Sequence, residues 1–405
     1  MSIENLVVGW TAEDGAVTRV GTVTLLGGAQ IQSFTYDRDW LATGFPIGEG
    51  LPLAPGPQAP ADGTSTFGVL DDAGPDAWGR RVISRSRPLA EISTSLGMLA
   101  AVADESRQGA LRFAADPDAG WTTTGDVAPL EELAALEADV AALVRGEADA
   151  AAVRRIYLGS SSQGGARPKT ALRRPDGSLV MAKFPWEQDA YDVEACEAVA
   201  LAVAEDAGLE VPPFRLERLD AGRSVLLVDR FDRTTRGRLG YQSMRTAAAL
   251  GPFEPMTYRL AADTARFVAG SSAVHGVVGA AALAICVHNI DDHARNLGFV
   301  RRAGAWRLAP LFDLVPFPKE QTGTPIDGAS PDRSLEQLLD TDWGVARSDV
   351  IRLATRVAQT ARGAWERAPR ATGLDPEIAA LMGRVVEDAC DFGTVLDGTE
   401  PRFES

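Results

Sequence analysis

Scarce polar residues are concentrated between residues 288 and 296, in the run HNIDDHARN. The chain contains only three His and three Asn, and two of each fall within this run. Asp291 lies five residues before Asn296, the spacing at which one tight loop presents a proton-accepting carboxylate and a magnesium-binding amide oxygen. The run therefore indicates phosphoryl transfer, with Asp291 as the catalytic residue.

Two further residues fit this chemistry. Asp313, at the end of the sequence APLFD, is expected to hold magnesium together with Asn296. Lys183 ends a predicted strand, where a rigid backbone would hold its ammonium group against a phosphate. Its expected partner is Glu197 on the next predicted helix, with Glu194 on the adjacent turn. The alternative is an ordinary surface ion pair between Lys183 and Glu197.

The Ser/Gly-rich run GSSSQGGARPK, residues 159–169, precedes another predicted strand. Gly164 and Gly165 allow backbone N–H groups to approach phosphate oxygens closely, and Lys169 adds a cation at the end of the run. Such a run is by itself more often a flexible turn. Beside Lys183, it predicts a phosphate-binding loop.

The composition restricts the class of protein and of partner. A chain of 405 residues that is 45% hydrophobic is long enough for a large core and for two or three domains. A net charge of −16 argues against autonomous binding of nucleic acid. Three separated Cys without CxxC spacing indicate buried, reduced thiols. We expect a cytoplasmic protein without a signal peptide or a membrane span.

The predicted elements change character along the chain. Strands are expected at 6–10, 17–26 and 31–36, then helices at 76–87, 89–103 and 129–145. Further strands are expected at 170–173, 179–184, 214–219 and 224–229, with a helix at 192–207; most of the chain after residue 257 is helical, except around 288–313. This order predicts an α+β, two-lobed, protein-kinase-like fold, with an N-terminal β-rich subdomain (1–150), an ATP-binding β-rich lobe (151–235) and a helical catalytic lobe (236–405).

Motifs in both halves of the chain resemble, in order, those of the HipA family of toxin kinases. The resemblance covers roughly residues 5 to 360 and rests on FGVLDDAGPDAWGRR (67–81), GALRF (109–113), SQGGARPK (162–169), RFDR (230–233), NIDDHARN (289–296) and PLFD (310–313). The chain departs from the family at Ile290 and Asp292, where relatives often carry Thr and a small residue.

The resemblance implies an ATP- and Mg²⁺-dependent Ser/Thr protein kinase that is the toxin of a type II toxin–antitoxin pair. Its partner would be a helix-turn-helix, HipB-like antitoxin, through which alone it would contact DNA. Known members phosphorylate aminoacyl-tRNA synthetases, which makes a translation-related protein the expected substrate.

The resemblance also assigns roles to residues. Asp291 would be catalytic, and Asn296 and Asp313 would hold magnesium. Ser162, or alternatively Ser160, matches the loop Ser that family members autophosphorylate, and a phosphate there would compete with ATP. The implied ATP-binding residues are Gly164, Gly165, Ala166, Lys169, Lys183, Glu197, Asp229, Arg230, Phe231, His293, Asn296, Phe312 and Asp313.

Two alternatives stay open at this point: a small-molecule or lipid kinase on the same scaffold, and a kinase-like subunit that serves mainly as co-repressor with a DNA-binding antitoxin. Structural roles are expected for several neighbours of the site. Asp292 is expected to be a solvated loop carboxylate, His288 to brace the loop through a hydrogen bond, and Trp78 to anchor a core. Arg230 and Arg233 either position the loop or neutralise nearby carboxylates.

Overall fold

The computed structural model of the chain describes residues 3–27, 30–61, 63–116, 118, 120–121, 126–160, 165–219, 223–251, 253–318, 323–328 and 333–391. Contacts between residues divide the chain into two compact units. The first comprises Met1–Ala190, Pro212–Glu254 and Leu297–Ala309. The second comprises Tyr191–Val211, Pro255–Asn296 and Pro310–Ser405. The predicted domain boundaries after residues 150 and 235 remain a prediction.

The strands all lie in the first unit as far as the chain is described. They are β1 (Asn5–Thr11), β2 (Val17–Leu26), β3 (Ile31–Tyr36), β4 (Leu111–Ala114), β5 (Lys169–Arg173), β6 (Leu179–Lys183), β7 (Phe214–Arg218), β8 (Ser224–Asp229), β9 (Gly240–Ser243), β10 (Gly298–Arg302) and β11 (Ala305–Leu308).

The helices occur in both units. They are α1 (Arg38–Thr43), α2 (Gly68–Asp72), α3 (Ala77–Ser86), α4 (Leu89–Ile92), α5 (Ser95–Ala100), α6 (Leu133–Arg145), α7 (Ala150–Gly159), α8 (Val193–Asp206), α9 (Met244–Ala247), α10 (Tyr258–Ala269), α11 (Ser271–Cys286), α12 (Leu335–Asp340), α13 (Arg347–Thr372) and α14 (Pro376–Ala389). None of the described helices combines the length and the hydropathy that a membrane-spanning segment requires.

The first sheet is antiparallel, with the strand order β3-β2-β1-β4. Alternate side chains of a strand point to opposite faces, and the inward residues Leu6, Val8 and Val23 are fully buried. Phe34 packs in the same core, where its ring meets Tyr36 edge-on at a centroid distance of 4.9 Å. The three strands predicted in the first 40 residues are confirmed.

The second sheet, ordered β5-β6-β8-β7, carries the two lysines of the predicted phosphate site. Its first hairpin turns at Pro175-Asp176-Gly177, where Gly177 has a left-handed φ of 86° and donates its N–H to the carbonyl of Arg174 at 2.9 Å. This turn sets the register in which Lys169 lies directly opposite Lys183. The third sheet, ordered β11-β10-β9, is also antiparallel.

One predicted helix differs from the observed structure. The segment 89–103 forms two short helices, α4 and α5, instead of one. The cause is Thr94, which leaves the helical conformation and accepts the N–H of Gly97 on its hydroxyl at 2.9 Å. A Thr in this position caps a new helix, because its side chain satisfies a backbone donor that has no partner within the helix.

The regular elements of the second unit, within the described residues, are all helices. α11 lies at its centre: it contacts α10, α12, α13 and α14, and it contains no Asp, Glu, Lys or Arg. α8 packs against α13 and begins at Asp192, whose carboxylate accepts the N–H of Ala195 at 3.0 Å. A helix that is buried along most of its length needs no polar face. The segment that carries Asp291 starts directly after α11.

Candidate active site

The segment that carries Asp291 begins with a sharp turn out of α11. His288 has a left-handed φ of 56°, a conformation that residues other than glycine rarely adopt. Its ring Nδ1 lies 2.8 Å from the carbonyl oxygen of Phe317. The predicted bracing role of His288 is confirmed by this contact.

Asn289 joins two parts of the second unit. Its buried side-chain oxygen accepts the backbone N–H of Asp291 at 3.2 Å and that of Val315 at 3.0 Å. An isolated β-bridge between Asn289 and Pro316 lies beside these bonds. Asn289 therefore holds the segment of Asp291 against the segment that follows Asp313.

Asp291 combines a fixed backbone with an accessible side chain. Its N–H is bound by Asn289, and its carbonyl oxygen accepts a hydrogen bond from the side-chain amide of Asn296. The Asp291 side chain is 48% exposed, and its carboxylate lies 3.6 Å from Nε2 of the exposed His293. The backbone of Asp291 is thus held in a defined place, while its carboxylate remains open to a reaction partner.

Asn296 has a buried side-chain oxygen that is suited to bind a cation. It is 5% exposed, and its Oδ1 has no hydrogen-bond partner among the residues that the structure describes. An unsatisfied buried carbonyl oxygen costs about 1–3 kcal/mol, so such an atom calls for a specific reason. Amide oxygens are ligands for Mg²⁺, and Asn296 fits that role.

Asp313 has a left-handed φ of 58°, a strained conformation that persists only where its surroundings enforce it. Asp313 and Phe312 are both half-buried. No group of three or more His, Cys, Asp or Glu side chains suited to a metal occurs within the described ranges. Mg²⁺ usually takes one or two protein oxygens and completes its shell with water and phosphate. Asn296 and Asp313 are donors of this kind.

The expectation that Asp292 is a solvated loop carboxylate is wrong. Asp292 is 5% exposed and accepts hydrogen bonds from the hydroxyl of Tyr258 at 2.7 Å and from the backbone N–H of Thr324 at 2.9 Å. It also forms a buried ion pair with Arg333. The reason is this set of partners, all in the second unit, which together satisfy the carboxylate of Asp292 away from solvent.

In the first unit, the structure brings Lys169 and Lys183 together. They are directly opposite on β5 and β6, and directly opposite side chains share one face of a sheet. Lys183 is half-buried. Lys169 is 4% exposed, and its Nζ lies 3.6 Å from a carboxylate oxygen of Asp76. The other oxygen of Asp76 accepts the N–H of Gly79 and caps α3.

The structure describes both ends of the Ser/Gly-rich loop. Ser162 and Gly164 lie outside the described residues. Ser160 is 3% exposed, its hydroxyl donates to the carbonyl of Ile156 at 2.8 Å, and its own carbonyl accepts the hydroxyl of Ser106 at 2.6 Å. At the far end, the carbonyl of Gly165, which has a φ of 90°, accepts the N–H of Trp78 at 3.3 Å, and Ala166 is exposed.

The predicted adenine-binding residues lie at the end of β8. Asp229 is half-buried and pairs with Arg174. Phe231 is half-buried, with its ring centroid 6.2 Å from that of Tyr241. Trp78, expected as a core anchor, is 1% exposed in a hydrophobic core, which confirms that role.

The sequence left two roles open for Arg230 and Arg233, neutralising nearby carboxylates or positioning a loop. In the structure, both side chains neutralise Asp232 and both bind backbone carbonyls. Both bind the carboxylate of the fully buried Asp232, at 2.7 and 2.8 Å. Both also donate to the carbonyl of Arg107, and Arg230 donates to that of Ser106. Burial acts to raise the pKa of Asp232, but Arg230 and Arg233 outweigh it and hold that pKa well below its ordinary value. The three side chains form a buried ion network that fixes residues 106–107.

Glu197 lies on α8 in the second unit, where it is 3% exposed and its neighbour Glu194 is 2% exposed. A buried carboxylate needs a charged or hydrogen-bonding partner, which agrees with a role for Glu197 in an ion pair. The pair between Glu197 and Lys183 remains a prediction.

Comparison with known proteins identifies the family. Residues 161–365 match the HipA-like C-terminal domain, and residues 15–114 match the HipA N-terminal domain. The first match alone covers just over half of the chain. The chain belongs to the HipA family. Membership of this family of toxin–antitoxin proteins supports a kinase as the enzyme class.

One solved structure shares the fold of this chain. The HipA protein of Shewanella oneidensis MR-1, in complex with HipB and its operator DNA, superposes with a TM-score of 0.70 at 18% identity, over 95% of this chain and 96% of that chain. The Helicobacter pylori proinflammatory kinase CtkA gives a TM-score of 0.44 at 15% identity, over 56% of this chain and 89% of its own. A search of curated protein sequences gave no match.

The predicted α+β fold, β-rich in its N-terminal part and helical in its C-terminal part, is confirmed as the HipA fold. Two residues that position the site in this HipA family chain were not assigned such a role from the sequence. Asn289 had a usable signal, because it is one of only three Asn. Asp76 had none, because nothing in the sequence relates it to Lys169.

Proposed function

We propose that this HipA family chain is an ATP-dependent Ser/Thr protein kinase that acts as the toxin of a type II toxin–antitoxin pair. The observation that carries the proposal is Asp291, whose backbone is bound on both sides by Asn289 and Asn296 while its carboxylate remains 48% exposed. A general base must be reachable by the hydroxyl that it deprotonates. It must also be held in one orientation, because small misplacements lower the rate steeply.

In the proposed reaction, Asp291 orients a Ser or Thr hydroxyl of the substrate and accepts its proton. Asn296 and Asp313 would hold Mg²⁺, and His293 would lie beside the phosphates. Bound magnesium neutralises charge that develops on the transferred phosphoryl group. The buried amide oxygen of Asn296 supports this assignment, because a cation would satisfy it.

Lys183 would contact ATP phosphates as a point charge, with Glu197 as its partner. Lys169 has a buried carboxylate partner in Asp76, so we assign it first to fixing the end of the phosphate-binding loop and only through that loop to ATP. The remaining residues proposed to contact ATP are Gly164, Gly165 and Ala166 through the backbone, and Asp229, Arg230, Phe231 and Phe312.

We further propose that the kinase autophosphorylates Ser162. The alternative, Ser160, is 3% exposed and its hydroxyl already donates to the carbonyl of Ile156. A phosphate adds about two negative charges and needs room and solvation, which the site of Ser160 does not offer. Ser162 follows two residues later in the loop.

The proposed partner is a HipB-like helix-turn-helix antitoxin, and DNA would be contacted only through it. The likeness to the Shewanella complex, which contains HipB and operator DNA, supports this proposal. The proposed substrate is a cytoplasmic translation protein such as an aminoacyl-tRNA synthetase, whose phosphorylation would arrest growth.

The decisive experiment compares the wild type with Asp291→Ala. Each protein is induced briefly in cells for phosphoproteomics, and each is purified and incubated with γ-labelled ATP and Mg²⁺. We expect the variant to incorporate no label, to leave growth unaffected and to produce none of the phosphosites seen with the wild type. Undiminished toxicity in Asp291→Ala would contradict the kinase mechanism, and transfer of label to a metabolite alone would contradict protein kinase activity.

A further inference from the structure

The buried carboxylate of Asp292 is bound from three directions. The hydroxyl of Tyr258, at the start of α10, donates to Oδ2 at 2.7 Å. The backbone N–H of Thr324 donates to Oδ1 at 2.9 Å, and the Thr324 hydroxyl donates to the Asp292 carbonyl at 2.8 Å. Arg333, just before α12, forms an ion pair with Oδ2. We call these four residues the Asp292 cluster.

Arg333 extends the cluster to the end of α11. Its guanidinium, with a side chain that is 5% exposed, also donates to the carbonyl oxygens of Ala284 and Asn289. At Gly323 a Cβ atom would collide with this guanidinium. The space between Arg333 and residue 323 is therefore filled, and the guanidinium is held in one place by three oxygen contacts and by packing.

The segment 323–328 is held at a second point. The backbone N–H groups of Tyr258 and Arg259 donate to the carbonyls of Pro325 and Ile326, each at 2.9 Å. These N–H groups belong to the first turn of α10, where donors have no partner within the helix. Ile326 is 2% exposed. The segment is thus fastened to α10 on one side and to the residue following Asp291 on the other.

We propose that Asp292, Arg333 and Tyr258 are positioning residues that fix the segment 323–328 beside Asp291, so that this segment supports the hydroxyl-bearing part of the protein substrate. The proposal builds on the proposed kinase function. A buried ion pair often adds little stability over apolar residues of similar size, but it defines one geometry. Through this segment, the Asp292 cluster positions the acceptor hydroxyl of the substrate. ATP binding does not depend on the cluster.

The test uses Asp292→Asn, Arg333→Met and the double variant of the full-length protein. As acceptor we choose a synthetic peptide of residues 156–170, which contains Ser162. We expect each single variant to lower kcat for this peptide about 100-fold while the KM for ATP changes less than about twofold. The matched control is Asp340→Asn, which removes the same charge from an Asp–Arg pair whose Asp side chain is 75% exposed, and which should behave as the wild type.

The double variant separates positioning from stability. Removing both charges avoids an uncompensated buried ion, so the midpoint of urea unfolding should return toward that of the wild type while kcat stays low. Recovery of kcat together with stability would overturn the positioning role and leave a purely structural pair. Wild-type kcat in both single variants would overturn it as well.

Two further measurements each avoid one of these dependences: Gly323→Ala removes no charge, and hydrogen exchange requires no activity. Gly323→Ala keeps every ionic group but displaces Arg333, and should lower kcat in the same way. Asp292→Asn should speed hydrogen exchange in 289–296 and 323–328 relative to Asp340→Asn; unchanged exchange would overturn the proposal whether or not the protein is active. A wild type that transfers no phosphate would refute the proposed function, and hydrogen exchange would still decide whether the cluster orders the segment.

Discussion

Asn296 donates its side-chain N–H to the carbonyl oxygen of Asp291. One amide thus performs two tasks: its nitrogen fixes the residue proposed as the base, and its buried oxygen remains available for a cation. The spacing of five residues between Asp291 and Asn296 therefore serves a direct hydrogen bond between the two residues. It also suits the placement of base and metal ligand in phosphoryl transfer.

The two tasks of Asn296 predict a severe defect in Asn296→Ala. We expect kcat to fall by about 100-fold or more and half-saturation by Mg²⁺ to move to higher concentration. Asn5→Ala removes the same group from an exposed position at the start of β1 and should leave both quantities unchanged. A magnesium titration of phosphate transfer provides the measurement, and an unchanged magnesium requirement in Asn296→Ala would speak against its role as a ligand.

The two lysines should respond differently to replacement by Met. Lys169→Met leaves Asp76 without its buried cation and should lower the free energy of unfolding by about 3 kcal/mol. Lys183→Met should have a smaller effect on unfolding but raise the KM for ATP about tenfold to a hundredfold, the value of one charge-assisted hydrogen bond. Urea unfolding and steady-state kinetics of both variants test this contrast, which equal stability losses would contradict.

The buried ion network around Asp232 predicts a dependence of stability on pH. The pKa of Asp232 is depressed in the folded protein by Arg230 and Arg233, whereas in the unfolded chain it returns to about 3.9. Its contribution is therefore fully present above about pH 4 and is lost as the pH falls toward the folded value.

Asp232→Asn tests this network, because it leaves two buried guanidinium groups without their carboxylate and should cost about 3–5 kcal/mol near neutral pH. The difference in unfolding free energy between wild type and variant should shrink below about pH 4. Urea unfolding at several pH values measures it, and a difference that is constant down to pH 2 would be inconsistent with the depressed pKa.

The loop serines make a prediction for mass spectrometry. After incubation with ATP and Mg²⁺, wild type and Ser160→Ala should each gain one phosphate in the loop, whereas Ser162→Ala should gain none there. The physical reason is the burial of Ser160 and its hydrogen bond to Ile156. Phosphate found on Ser160 would show that α7 opens at its end during the reaction.

Much of the fold followed from the sequence because its signals are local. Strands β1, β2 and β3 are β-branched runs between turns, and the Pro-Asp-Gly turn between β5 and β6 sets the register of Lys169 and Lys183. The break between α4 and α5 was missed because Thr94 is compatible with a helix by propensity, and only its contact with Gly97 shows that it begins a new one.

The site was predictable where residues close in sequence carry it. Asp291, His293 and Asn296 belong to one run, and the structure brings Asp291 and Asn296 into contact. Asp292 was misjudged because its partners Thr324 and Arg333 are more than 30 positions away and carry no recognisable pattern. The partner of Lys169 was missed for the same reason, since Asp76 lies in a different motif.

The side-chain oxygen of Asn289 accepts two backbone N–H groups. This double contact limits which residues can replace Asn289 without loss of activity. Asp would offer the same two bonds but add a negative charge beside Asp291, Gln would place its oxygen one carbon too far, and Ser would not reach both donors. Each of these three replacements therefore loses either geometry or charge balance. In a saturation library scored for activity, position 289 should tolerate as little change as position 291, although its side chain takes no part in the proposed chemistry.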